Sequence, residues 1–205
     1  MFVKVCGLRT VEDVRVACAA GADAVGLVLH PASPRHVTVE SARTLAAAVP
    51  DPVLTVVVVA VHDAADAARM TREIGADVLQ LHGRYTADDF AVARAEQVRL
   101  WRATSLADDP DLRVGAFGEE ALLLDSPRAG SGETWDVEAL ESRPAGHWLL
   151  AGGLDPDNVG AAVRRVRPWG VDVSSGVESA RGVKDHARVT AFVAAAKASS
   201  APSHP

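Results

Sequence analysis

Six times in this chain a short apolar run gives way at its C-terminal end to a polar residue or to glycine, and a segment with helical patterning follows. The runs are Val3 to Cys6, Val25 to Leu29 before His30, Val56 to Val61 before His62, Val78 to Leu81 before His82, Leu122 to Leu124 before Asp125, and Trp148 to Ala151 before Gly152-Gly153. Runs this short and this apolar suit strands buried on both faces, and strands separated by helices lie parallel. Their C-terminal ends then share one rim, which is where a parallel α/β protein collects its chemistry.

Read in order, the chain predicts eight strand–helix units. Thr10 caps a helix with Val11, Val14, Ala17 and Cys18 on one face, and Gly21 stops it. A strand at Asp23 to Leu29 leads into His30-Pro31-Ala32-Ser33-Pro34-Arg35, where two prolines forbid helix and hold Arg35 on a short tether. Thr38 caps a helix to Val49, Pro50-Asp51-Pro52 breaks it, and a β-branched strand spans Val53 to Val61. A helix from about Ala64 to Ile74 ends in Gly-Ala-Asp, as the first helix did, and again a strand and a histidine follow. Then come a helix at Thr86 to Glu96, a strand at Val98 to Ala103, a helix at Pro110 to Gly118 and a strand at Ala121 to Leu124. A loop at Gly130 to Gly132, a short helix near Trp135 to Glu141 and a strand at His147 to Ala151 are next. Asp155 and Pro156 occupy the cap and first turn of a helix to Arg167, Gly170 to Val173 is the eighth strand, and Lys184 to Lys197 is the closing helix.

Eight such units make a (β/α)₈ TIM barrel, a single domain over 1–197, with 198–205 a Ser-, Pro- and Ala-rich tail expected to be disordered. A doubly wound sheet would want Gly-x-Gly-x-x-Gly after its first strand, which Cys6-Gly7-Leu8 does not supply. A net charge of -6 argues against nucleic acid and anionic membranes as partners. Two cysteines make no disulfide framework, and the N-terminal residues indicate neither a signal peptide nor a membrane span, so a cytoplasmic setting is expected.

Gly152-Gly153 before the seventh helix and Ser174-Ser175-Gly176 after the eighth strand stand where barrels bind phosphate through exposed backbone N–H groups and helix N-termini. A phosphorylated small molecule is therefore the expected partner. Cys6 at a strand end is either a small buried hydrophobe or a reactive thiol, and Asp125 is either a loop cap or an acid at the rim. Arg35 is either a solvated loop charge or a guanidinium held for a carboxylate. His30, His62 and His82 lack a pairing such as His-x-His, so no metal is expected.

Several of these stretches together resemble phosphoribosylanthranilate isomerase of tryptophan biosynthesis. They are Val3-Lys4-Val5-Cys6-Gly7-Leu8, Gly21-Ala22-Asp23-Ala24-Val25-Gly26, Ser33-Pro34-Arg35, Leu79-Gln80-Leu81-His82-Gly83, Leu123-Leu124-Asp125-Ser126, Gly130-Ser131-Gly132, Ala151-Gly152-Gly153-Leu154 and Val171 to Glu178. The resemblance implies a (β/α)₈ barrel, monomeric or homodimeric, that performs an Amadori rearrangement without cofactor. It implies Cys6 as general base and Asp125 as general acid. Arg35, His82, Asp172, Gly152, Gly153, Ser175 and Gly176 are expected at the substrate. Lys4, on the strand face of Cys6, is a candidate cation for favouring the thiolate. The chain departs from the family pattern at Glu133, where lysine is common, and at Leu27 and Leu29, which replace frequent phenylalanines and bear on loop contacts and pocket shape. A histidine-pathway sister isomerase would carry aspartate at position 6, and indole-glycerol-phosphate synthase would want catalytic lysines at strand ends.

Overall fold

The computed structural model describes residues 1–105, 111–125 and 144–199. Eight parallel strands close into a barrel in chain order: β1 (Phe2–Cys6), β2 (Ala24–Val28), β3 (Leu54–Val59), β4 (Val78–His82), β5 (Arg99–Ser105), β6 (Ala121–Asp125), β7 (Trp148–Leu150) and β8 (Gly170–Val173). The helices described are α1 (Val11–Ala19), α2 (Val39–Ala46), α3 (Ala64–Ile74), α4 (Ala87–Ala95), α5 (Val159–Val166) and α6 (His186–Ala198).

Strand parity divides the core in two. Val25, Leu27, Val57, Val59, Leu79 and Leu81 point outward and pack with helix residues such as Val14, Ala67, Phe90 and Phe192. Cys6, Ala24, Val56, Val58, Trp101, Ala103, Leu123 and Ala151 fill the barrel itself. Leu27 and Leu29 belong to the outer layer, so the departures at these positions alter helix packing and leave the barrel interior unchanged.

The repeated Gly-Ala-Asp has a physical cause. Gly21 and Gly75 both take a left-handed φ, +94° and +78°, and close the ends of α1 and α3. The aspartate that follows then clips two strands together at the base of the barrel. Asp23 donates its N–H to the Val3 carbonyl (2.8 Å) and accepts the Val3 N–H on its carboxylate (2.7 Å). Asp77 does the same with Thr55, at 3.0 Å and 2.7 Å. Helix starts also follow from sequence: Thr10 with Asp13, and Thr86 with Asp89, form reciprocal capping boxes.

Four expectations need correction. Residues 111–118 form turns, with Gly115 and Gly118 at φ +86° and +82°, so the helix expected over Pro110 to Gly118 is absent from the described part of that span. In place of a helix, Arg102 on the outer face of β5 gathers the segment. Its guanidinium donates to Glu119 (2.9 Å), to the carbonyls of Asp111 (2.9 Å) and Arg113 (3.1 Å), and lies over the Phe117 ring. Lys184 does not begin the last helix. It ends a hairpin of β9 (Glu178–Ala180) and β10 (Val183–Lys184), and Asp185 caps α6 after it. Asp155 accepts the N–H groups of Asp157 and Asn158 in a turn, and regular helix begins only at Val159. Finally, α2 ends at Ala46, earlier than Val49. The Gly130 to Gly132 loop, the helix near Trp135 to Glu141, Glu133 and 200–205 lie outside the described residues.

Aromatic rings plug the N-terminal end of the barrel. Phe2 stacks on Trp169 at 4.3 Å and meets the edge of Trp101, and His147 lies against Trp169 at 4.5 Å. Access is therefore from the opposite rim.

Candidate active site

At that rim a cavity of about 250 Å³ is lined by Cys6 of β1, Arg35, Gln80 and His82 of β4, Asp125 of β6, and Asp172 of β8. A smaller recess of about 50 Å³ is lined by Gly152, Gly153, Leu154 and Ser175. Asp125, Asp172 and Ser174 line both, so a molecule seated in the recess extends directly into the larger space.

The recess is shaped by backbone. Gly152 and Gly153 adopt φ of +83° and +64° in succession. Gly176, in the short helical turn Ser175–Val177, packs so closely that a Cβ would lie 1.9 Å from the Leu154 carbonyl oxygen. The two loops are thus pressed together by a contact that only glycine allows.

Cys6 ends β1 opposite Gly26 of β2, and a Cβ on Gly26 would come within 2.7 Å of the Cys6 sulfur. The missing side chain makes room for the thiol. Cys6 is 7% exposed and Asp125 8%, so both are desolvated without being sealed. Lys4, two residues before Cys6 on the same inward face, is fully buried and its ammonium donates to Asp172 at 2.7 Å. Burial alone would lower its pKa, but Asp172 and the Cys6 sulfur beside it more than offset this and hold the ammonium above the ordinary lysine value. The same burial pushes the Cys6 thiol up, and Asp172 adds to this, so the cations Lys4 and Lys184 offset the rise only in part. Lys4 thus favours the thiolate as expected, but burial, aided by Asp172, outweighs it and keeps the Cys6 thiol above its ordinary value.

Arg35 is held by Glu178. Its Nε and Nη2 donate to the two carboxylate oxygens at 2.6 Å and 3.0 Å, with only 14% and 5% of the two side chains exposed. His62 does not join a histidine cluster: its Nε2 lies 2.9 Å from the Leu29 carbonyl. Among the described residues, no group of three His, Cys, Asp or Glu could hold a metal.

The model of the family described as N-(5'-phosphoribosyl)anthranilate isomerase matches residues 3–195. The chain belongs to the phosphoribosylanthranilate isomerase family. A curated isomerase of that name from Haloferax volcanii is 47% identical, over 95% of this chain and 92% of the relative. A TrpF crystal structure from Jonesia denitrificans is 56% identical, with a TM-score of 0.92 over 98% of this chain and 99% of that one. A phosphoribosylanthranilate isomerase in complex with reduced 1-(o-carboxyphenylamino)-1-deoxyribulose 5-phosphate is 31% identical, with a TM-score of 0.83, covering 97% and 99% of the two chains.

For the isomerase, the structure brings all nine sequence-derived site residues except Gly176 onto the walls of these two spaces, and Gly176 braces the recess from behind. Sequence reasoning passed over three residues. Gln80 faces the cavity at 2% exposure, and its Oε1 has no hydrogen-bond partner among the described residues. The signal was available, since strand parity puts Gln80 on the same face as His82, a residue already expected at the substrate. Glu178 and Lys184 gave no such signal, because charged residues in a polar stretch read as solvated. Among the described residues, no helix is long and apolar enough to cross a membrane.

Proposed function

We propose that Cys6 is the general base and Asp125 the general acid of the Amadori rearrangement that this isomerase performs on N-(5'-phosphoribosyl)anthranilate. The observation that supports the pairing is their position: they come from β1 and β6 and face one cavity that is continuous with the glycine-lined recess. A phosphate on the backbone N–H groups of the recess would leave the ribose between the two groups.

Asp125 delivers a proton to the ring oxygen as the C1 to ring-oxygen bond breaks, and the anthranilate nitrogen donates its lone pair to C1. The protonated Schiff base so formed makes the C2 hydrogen acidic. Cys6 removes that proton, and the electrons of the C2–H bond form the C1–C2 double bond of an enolamine that tautomerises to the ketone. Cys6 acts as the thiolate, its own proton having passed to solvent, and the protonated Schiff base that activates C2 favours that anion beside it. Gln80, with its orphaned oxygen, is placed to accept from a hydroxyl of the opened ribose chain. His82 and Asp172 complete the wall around that chain.

Arg35 is assigned to the anthranilate carboxylate. Arg35→Met should weaken substrate binding by about 1.5 to 3 kcal/mol, the range for hydrogen bonds to charged groups, with a smaller change in kcat. Steady-state kinetics on the purified variant test this. An unchanged KM with collapsed turnover would assign Arg35 to the chemical step instead.

A further inference from the structure

Arg35 does not face the cavity alone. Glu178, which holds it, also accepts from Lys184 Nζ at 3.0 Å and from the Gly182 N–H at 3.0 Å. Lys184 is buried, with 1% of its side chain exposed, and it donates as well to the Ser174 carbonyl at 2.8 Å. Ser174 in turn donates its hydroxyl to the Cys6 carbonyl at 3.1 Å. Arg9 reaches the turn of the same hairpin at the Gly182 carbonyl (3.4 Å).

Three charges decide what Arg35 can do. A single carboxylate paired with Arg35 would cancel its charge and leave little to attract an anion. Here two cations share one carboxylate, so the cluster keeps a net positive charge. The geometry also leaves a face open. Glu178 occupies the Nε and Nη2 side of the guanidinium, and Nη1 has no hydrogen-bond partner among the described residues. The end of the fork, Nη1 with the second Nη2 hydrogen, is the edge that accepts a carboxylate in two parallel hydrogen bonds.

We propose that Glu178 and Lys184 are positioning residues for carboxylate recognition: Glu178 fixes the orientation of Arg35, and Lys184 balances Glu178 so that Arg35 keeps its attraction for the aryl carboxylate. This rests on the reading of Arg35 given above. It makes the β9–β10 hairpin part of the specificity machinery, acting through Arg35 and touching no substrate.

The test compares two ligands, reduced 1-(o-carboxyphenylamino)-1-deoxyribulose 5-phosphate and the same compound lacking the carboxylate, by calorimetric titration of Glu178→Gln. Orientation and charge make opposite predictions for this variant. Removing a negative charge alone would tighten binding of an anion, whereas releasing Arg35 weakens it. The expected result is a loss of about tenfold or more for the carboxylated ligand, with the other ligand within about twofold of the unmodified protein. Unchanged or tighter binding of the carboxylated ligand, or an equal loss for both, would overturn the proposal. Glu178→Asp, which keeps the charge but is too short to hold both Arg35 nitrogens and Lys184, should show the same selective loss and serves if Glu178→Gln does not fold. Arg35→Met separates the two readings. If it spares the carboxylated ligand, the assignment of Arg35 fails. If it loses that ligand while both Glu178 variants keep it, only the positioning role fails.

Discussion

Cys6→Ser should fold, bind the reduced product analogue normally, and turn over N-(5'-phosphoribosyl)anthranilate about 10²-fold or more slowly than the unmodified protein. The hydroxyl is slightly smaller than the thiol and fits the space that Gly26 leaves, so packing is preserved while the accessible anion is lost. Asp125→Asn should produce a fall of the same scale, because the amide keeps the shape and cannot deliver the proton. Neither substitution changes the loops of Gly152, Gly153 and Gly176 that shape the recess, and Asp125→Asn keeps the size of the one lining side chain it alters, so analogue affinity is the internal control. Near-normal turnover by Cys6→Ser would remove the thiol from the mechanism, and near-normal turnover by Asp125→Asn would remove the acid.

The largest effect expected on stability lies outside the site, at Glu119. Its carboxylate is fully buried against Arg102 and also accepts the Phe117 N–H at 2.8 Å. Glu119→Ala withdraws a buried counter-charge from a guanidinium that is itself 3% exposed, and breaking a buried pair in this way costs about 3 to 5 kcal/mol. Its neighbour is the contrast. Glu120 pairs with Arg99 on the surface, where both side chains are nearly half exposed, so Glu120→Ala should cost less than about 1 kcal/mol. Urea unfolding of the two variants measures both, and equal losses would show that the Arg102 cluster does not hold residues 111–119 to the barrel.

The barrel was legible because most of its strands are largely apolar and six of the apolar runs give way to a polar residue or glycine at the same rim. Its helix starts were legible in Thr10 and Thr86, whose caps need only a local hydrogen bond. The recess was legible as two glycine-rich loops at expected strand ends. What escaped was set by distance in sequence. Arg102 on β5 reads as a surface charge until Glu119, seventeen residues later, is folded against it. Glu178 reads as part of a polar stretch, yet its partner Arg35 is 143 residues away. The error at Leu27 and Leu29 was one of parity. The pairing of Cys6 with Gly26 fixes which residues of β2 face inward, and single-strand patterning of a fully apolar run cannot. Lys4 was placed on the correct face and does favour the thiolate, but the burial that outweighs it, and Asp172 that adds to the rise, are set by the closed barrel and by no local pattern.

The seam between β7 and β8 is short. Only Leu149 faces Gly170 and Leu150 faces Val171, whereas β2 and β3 stay paired from Ala24 and Leu54 to Val28 and Val58. The two loops that form the glycine-lined recess leave the barrel from this seam. A phosphate gripped by both loops would therefore act as a stitch across the weakest join of the wall. Ligand occupancy would add about 2.7 kcal/mol to the folded state at a hundred times its dissociation constant. The metabolite that the barrel consumes would then also govern how often the barrel opens and how long a molecule of it survives proteolysis.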